Sequence, residues 1–196
     1  MKLKAATACL AAAAIGLLPS LTLAQEVKVS QSIIPDQPYT LIYPATMTLS
    51  GLPGETLTLN HPEAPLQCSL KIVTVEDTDW SAQSALTGLN DAEITADWAQ
   101  TYPGFVLGEK ATTPYQNTTA LIYEGTSTGS PMGVPLNIVH TEAVDAGRGY
   151  TLDCLFATSV AAQARPIVDF IIANFSTQSD AQCCSAAPDR TTSPPA

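Results

Sequence analysis

The sequence predicts an α+β fold: a single domain built on an antiparallel β-sheet flanked by helices. Three observations carry this. Apolar and polar residues alternate in several short runs, the longest being residues 66–75, LQCSLKIVTV, and period-two alternation marks a strand with one buried face. The stretch Asp145-Ala146-Gly147-Arg148-Gly149 is a tight turn between two such runs, so those runs should form an antiparallel hairpin. Beyond the hairpin, Ile167, Phe170, Ile171 and Phe175 recur at helical spacing, with Val168 and Ile172 widening the stripe. Such a face must be buried against the sheet.

Taken in order, the chain opens with MKLKAATACLAAAAIGLLPSLTLA. Lys2 and Lys4 precede an apolar run of 14 residues, 5–18, and Thr22-Leu23-Ala24 ends in a small residue. That is the pattern of a secretory signal peptide cleaved after Ala24, and the run is shorter than the ~20 residues needed to span a bilayer. Cys9 leaves with the leader. No transmembrane segment is expected after cleavage, and the mature protein is expected to be periplasmic or secreted. Residues 25–36 read as an N-terminal extension, 37–177 as the domain, and 178–196 as a flexible tail rich in Ser, Thr and Pro with two cysteines.

Strands are expected at residues 37–43, 45–49, 55–60 and 66–75. Helical spacing then appears in DWSAQSALTGL (79–89) and DAEITADWAQT (91–101), where Asp79, Asp91 and Glu93 suit helix N-termini. Further strands follow at 105–110, 119–123 and 135–141, the last two separated by the turn-rich GTSTGSPMG at 125–133. The strand 150–156 is the second arm of the hairpin. Thr158 or Ser159 can cap the last helix, with Pro166 in its first turn and Phe175 at its end.

Charge narrows the function. Removing Lys2 and Lys4 leaves six cations against 18 acids, a net charge of −12. So acidic a protein repels phosphate backbones and anionic headgroups, so nucleic-acid binding is not expected.

Cys68, Cys154, Cys183 and Cys184 remain in the mature chain, an even number in an oxidising compartment, which favours disulfides. Adjacent α-carbons lie ~3.8 Å apart, so a Cys183–Cys184 bridge would be strained. Cys68 shares a strand face with Leu66, Leu70 and Ile72, and Cys154 shares one with Leu152 and Phe156. Two inward cysteines on neighbouring strands would be close, so Cys68–Cys154 is the preferred pairing; crossed pairing with Cys183 and Cys184 stays open.

The order of elements resembles the PsbP-like superfamily, which includes the extrinsic PsbP protein of photosystem II and the bacterial DcrB lipoproteins. Similar features are Pro38-Tyr39-Thr40-Leu41-Ile42-Tyr43-Pro44, Gly149-Tyr150-Thr151-Leu152, Arg165-Pro166-Ile167-Val168-Asp169 and Asn174-Phe175. Ala45-Thr46-Met47 stands where that family often carries a tryptophan. The resemblance covers residues 37–177. It implies an α/β/α sandwich and an accessory or binding role, and it supplies no catalytic residues.

Chemistry has few candidates. The histidines are His61 and His140, and no Gly-x-Ser-x-Gly occurs. His61 reads as a turn residue. His140, at a strand end, could orient against Glu142 or Asp145 in a hydrolase-type site, the simpler reading being a hydrogen-bonded strand end. Neither histidine has a second ligand at zinc-like spacing, Glu76–Asp79 lacks the glycine and terminal glutamate of an EF-hand, and no cofactor is expected. Cys183-Cys184 could form a thiol or metal pair but lacks the Cys-x-x-Cys spacing of disulfide exchange. Asn117 and Asn174 fit the glycosylation pattern. The expected function is therefore an exported, non-enzymatic accessory or binding module for a protein or a small ligand. The alternative is an enzyme at His140 or a thiol or metal function at Cys183 and Cys184.

Overall fold

Period-two alternation becomes ladder pairing over most of the chain. The computed structural model describes residues 26–183, apart from 33, 35, 53, 77–78 and 132. The leader 1–24, Cys184 and the end of the tail lie outside the described residues. The strands are β1 (Val27–Gln31), β2 (Thr40–Pro44), β3 (Thr48–Ser50), β4 (Leu57–Asn60) and β5 (Leu66–Thr74). Two helices follow, α1 (Ala82–Gly88) and α2 (Asp91–Thr101). Then come β6 (Val106–Pro114), β7 (Thr119–Ser127), β8 (Leu136–Asp145), β9 (Arg148–Ala157), α3 (Ala161–Ala173) and β10 (Phe175–Ser176).

Seven strands form one antiparallel sheet in the order β3-β4-β5-β9-β8-β7-β6, and β1-β2-β10 form a second, smaller one. Successive residues of a strand point to opposite faces, so Val139 and Ile138 of β8 belong to different cores. On the first face, Val139, Tyr150, Leu152 and Cys154 pack with Ala164, Val168, Ile171 and Ile172 of α3. On the second, Phe105, Leu136, Ile138 and Leu155 pack under Ile94, Trp98 and Tyr102 of the α2 region. Helices therefore cover both faces, an α/β/α arrangement.

Several boundaries differ from the sequence reading. Residues 27–31, placed in an N-terminal extension, form β1 and pair with β2, Val29 opposite Ile42. The strand is short and its side chains are exposed or half-buried, so its pattern carries little apolar signal. Helix α1 starts at Ala82 rather than near Asp79, because Ser81 and Ser84 form a reciprocal capping box. Asn90 caps α2, with Asp91 and Glu93 in the first turn.

Pro166 lies inside α3 rather than in its first turn, and neither Thr158 nor Ser159 caps the helix; residues Thr158–Val160 form a 3-10 turn before it. The carbonyl that the missing Pro166 N–H would meet belongs to Ala162. Both residues are exposed, so water can serve that carbonyl and the proline is tolerated. The helix ends at Ala173, leaving Phe175 to join β10.

Strand β7 continues through Ser127 into the stretch read as a turn. Gly125 permits this, since a Cβ there would lie 2.2 Å from the Phe105 ring. Among the described residues no helix is long and apolar enough to cross a membrane.

Candidate functional site

Register decides what His140 meets. The turn at Ala146 and Gly147, both at positive φ, closes the β8–β9 hairpin so that Asp145 faces Arg148 and His140 faces Asp153. On the other side Tyr123 of β7 is its partner. His140 Nδ1 lies 2.6 Å from Asp153 Oδ1, and Nε2 lies 3.6 Å from Glu142 Oε1. The Tyr123 ring stacks on the imidazole at 4.3 Å, and Trp98 of α2 meets it edge-on at 6.0 Å. Trp98 Nε1 donates to the Tyr123 hydroxyl at 2.9 Å.

The His140 side chain is only 9% exposed. Burial disfavours its charged form, but the hydrogen bonds and charges of Asp153 and Glu142 outweigh this and raise its pKa to about 9. Contact with the imidazolium in turn holds Glu142 below the usual carboxylate range, against the opposing effect of burial. Burial pushes the Tyr123 phenol up to about 12. At neutral pH the cluster is thus an imidazolium bracketed by carboxylates under an aromatic lid. A general base needs an imidazole that is neutral near the working pH, and this one already holds its proton.

Of the two acids that the sequence offered to His140, only Glu142 approaches it. Asp145 lies on the opposite sheet face, where its carboxylate accepts from Thr177 and Asn117. Asp153, the true partner, was missed; counting back across the Asp145–Gly149 turn would have found it. The His61 ring accepts from the Glu63 backbone N–H at 3.2 Å, a turn contact.

Cys68 and Cys154 face each other across β5 and β9 and form a disulfide, their α-carbons 4.0 Å apart. Cys68 is 1% exposed and Cys154 0%, which seals this sulfur pair from solution. The crossed pairing is thereby overturned, because strand register brings Cys154 opposite Cys68. Cys183 is also disulfide-bonded. Both glycosylation-pattern asparagines are engaged. Asn117 donates to Thr177 and accepts from Ser176 and the Thr177 N–H, and buried Asn174 donates to the Phe170 carbonyl. Among the described residues no cluster of three or more His, Cys, Asp or Glu could hold a metal.

Among the hollows lined by described residues, two stand out. The larger, about 240 Å³, lies between β1 with the β1–β2 connection and the β3–β4–β5 edge. Leu49, Leu57, Leu70 and Ile72 give it an apolar side. They gather because β3, β4 and β5 are successive neighbours, with Leu57 opposite Leu70. Ser30, Gln31 and Ser32 line the other side with Gln37 and Tyr39, held by a Ser32 N–H to Tyr39 carbonyl bond of 3.0 Å. Gly51 shapes the rim: it sits at φ 113°, and a Cβ there would lie 2.6 Å from the Thr56 carbonyl oxygen.

The smaller hollow, about 190 Å³, opens where β6 shifts register between Leu107 and Lys110. Arg165 borders it, but its guanidinium is engaged by Glu124 at 2.6 and 2.8 Å and by Asp169 at 2.9 Å. The larger hollow sets hydrogen-bonding groups on one side against an apolar wall on the other, while the smaller one mixes Thr126 and Asn137 with Leu107, Ile138 and Phe156.

Among solved structures, the PsbP protein of Synechocystis sp. PCC 6803 (CyanoP) superposes with a TM-score of 0.57. It covers 83% of this chain and 98% of its own at 14% identity. The chain has the PsbP-like fold. The Saccharomyces cerevisiae Ran-binding protein Mog1p also matches, with a TM-score of 0.50, covering 79% of this chain and 96% of its own at 10% identity. No family model matches the sequence, and no curated protein does. At such identities the PsbP-like fold carries over and a function does not.

Proposed function

We propose that this protein is an exported, non-catalytic binding module, periplasmic or secreted, that acts by holding a protein or a small ligand. The observation that carries this reading is the 240 Å³ cleft between the two sheets, with an apolar wall facing hydrogen-bonding residues. Such concavities are the usual form of a ligand site. The His140 cluster supports the same reading from the other side. It is buried, charge-paired and protonated at neutral pH, which suits a structural strut better than a proton-transfer catalyst. Mog1p, which shares the fold, is by name a Ran-binding protein.

Export is supported by the leader pattern of residues 1–24 and by the buried disulfide. The mature chain then begins at Gln25, with β1 completing a domain that runs to about residue 177. Intact-mass measurement of the exported fraction, with and without reductant, is expected to show a chain starting at Gln25 that gains protons on reduction. Retention of the full-length chain in the cytosol would reject export. Hydrolase and thiol-exchange screens are expected to find no turnover, and a wild-type activity abolished by His140→Ala would reject the non-catalytic reading.

A further inference from the structure

We infer that the cleft between the sheets takes a small amphipathic amine, its apolar body against Leu49, Leu57 and Ile72 and its ammonium group toward Glu55. This deepens the binding-module reading and rests on it. Three features of the cleft select the ligand. The first is size. At about 240 Å³ the space falls below the ~300 Å³ at which sites for drug-sized molecules begin, so the occupant is a molecule of few heavy atoms.

The second is the division of the walls. Leu57 and Leu70 are buried core residues, while Leu49 and Ile72 are partly buried against the same core. This wall is rigid, preformed and apolar on the side that meets the cleft. Across from it stand Ser30, Gln31, Ser32, Gln37 and Tyr39; the Tyr39 hydroxyl lies 3.4 Å from Ser30 Oγ, while the Gln31 amide donates to the Ala181 carbonyl and the Ser32 hydroxyl is held by the Ile34 backbone. Such a lining takes an alkyl or aryl body on one side and hydrogen-bonds a polar head on the other.

The third is charge. Glu55 is the one carboxylate among the described lining residues, and no lysine, arginine or histidine joins it. With a net charge of −12 on the mature chain behind it, the cleft disfavours a carboxylate or phosphate ligand and favours a cation. Glu55 is exposed, so its attraction is partly screened and sets preference rather than bulk affinity.

The test uses the mature protein, the matched probes hexylammonium, 1-hexanol and hexanoate at pH 7, and amide chemical shifts read by NMR. The expected result is shift changes confined to the residues lining the cleft, with the order of affinity hexylammonium, hexanol, hexanoate. Shortening the amine from hexyl to butyl is expected to weaken binding by roughly threefold per methylene removed. Glu55→Gln lies in an exposed turn and is expected to lower hexylammonium affinity by roughly two- to fivefold while leaving hexanol unchanged. Hexanoate binding as tightly as hexylammonium, or an amine-to-alcohol ratio unmoved by Glu55→Gln, would overturn the cation preference. Absence of shifts at the cleft with all three probes would overturn the site itself. The wider binding-module reading falls by a different result, catalytic turnover lost in His140→Ala.

Discussion

His140 owes its charge to where its neighbours lie. With Asp153 at 2.6 Å and Glu142 nearby, its pKa stands at about 9 in the folded chain against 6.5 for a free imidazole, a difference worth roughly 3 kcal/mol. Because the folded value is the higher one, this stabilisation is fully present below about pH 6.5 and is lost as pH rises through about 9. The urea midpoint of the wild type is therefore expected to fall between pH 6.5 and 9.5 beyond any decline shown by His140→Gln. The histidine resonances should titrate near 9 in the wild type and markedly lower in Asp153→Asn. A wild-type His140 that titrates near 6.5 would contradict the geometry. The residue pattern placed His140 at a strand end near acids, whereas β8 runs on to Asp145 and holds it mid-strand. Alternation alone assigns Asp145 to the far face, and the hairpin register brings in Asp153 from 13 positions away.

At the scale of elements, the β7 strand and the segment entering β6 are fitted to each other by an absence. Gly125 leaves the space that the Phe105 ring fills, and Phe105 is 5% exposed in the second core beside Ile138. Gly125→Ala is expected to destabilise the fold by about 1–3 kcal/mol through overpacking, read as a lowered denaturant midpoint. Phe105→Leu in the same chain should recover part of that loss. The turn-rich composition of 125–133 hid this strand extension, because glycine there reads as a turn when its tertiary reason is a ring 2.2 Å away. Helix α3 is the reverse case. Its apolar stripe was evident from spacing, yet the cap expected at Thr158 or Ser159 gives way to a 3-10 turn and Pro166 lies inside the helix, since exposure of its carbonyl partner, which makes an interior proline tolerable, is invisible in sequence.

For the whole molecule, the disulfide ties residues 86 apart and links the central β5–β9 pair on the buried first face. In the chain-entropy account, closing so long a loop contributes up to about 4 kcal/mol. The double variant Cys68→Ala, Cys154→Ala is expected to lose roughly 2–4 kcal/mol in denaturant unfolding. Both sulfurs are sealed, so native wild-type protein should resist reduction until it unfolds. Rapid reduction of this bond under native conditions would contradict the burial. The same centrality separates it from any surface chemistry.

By itself the sequence determined the alternation and helical stripes, and therefore the α+β class and most strands. It also placed Cys68 and Cys154 each on an apolar face. These are local properties, written in the spacing of neighbouring side chains. Only the tertiary structure decided that β1 and β2 join β10 in a second sheet, and that β1, the β1–β2 connection and the β3–β5 edge enclose a cleft. Each of these is a meeting of segments far apart in the chain. No local periodicity encodes which strand edges lie side by side; that is settled by burying every apolar face at once.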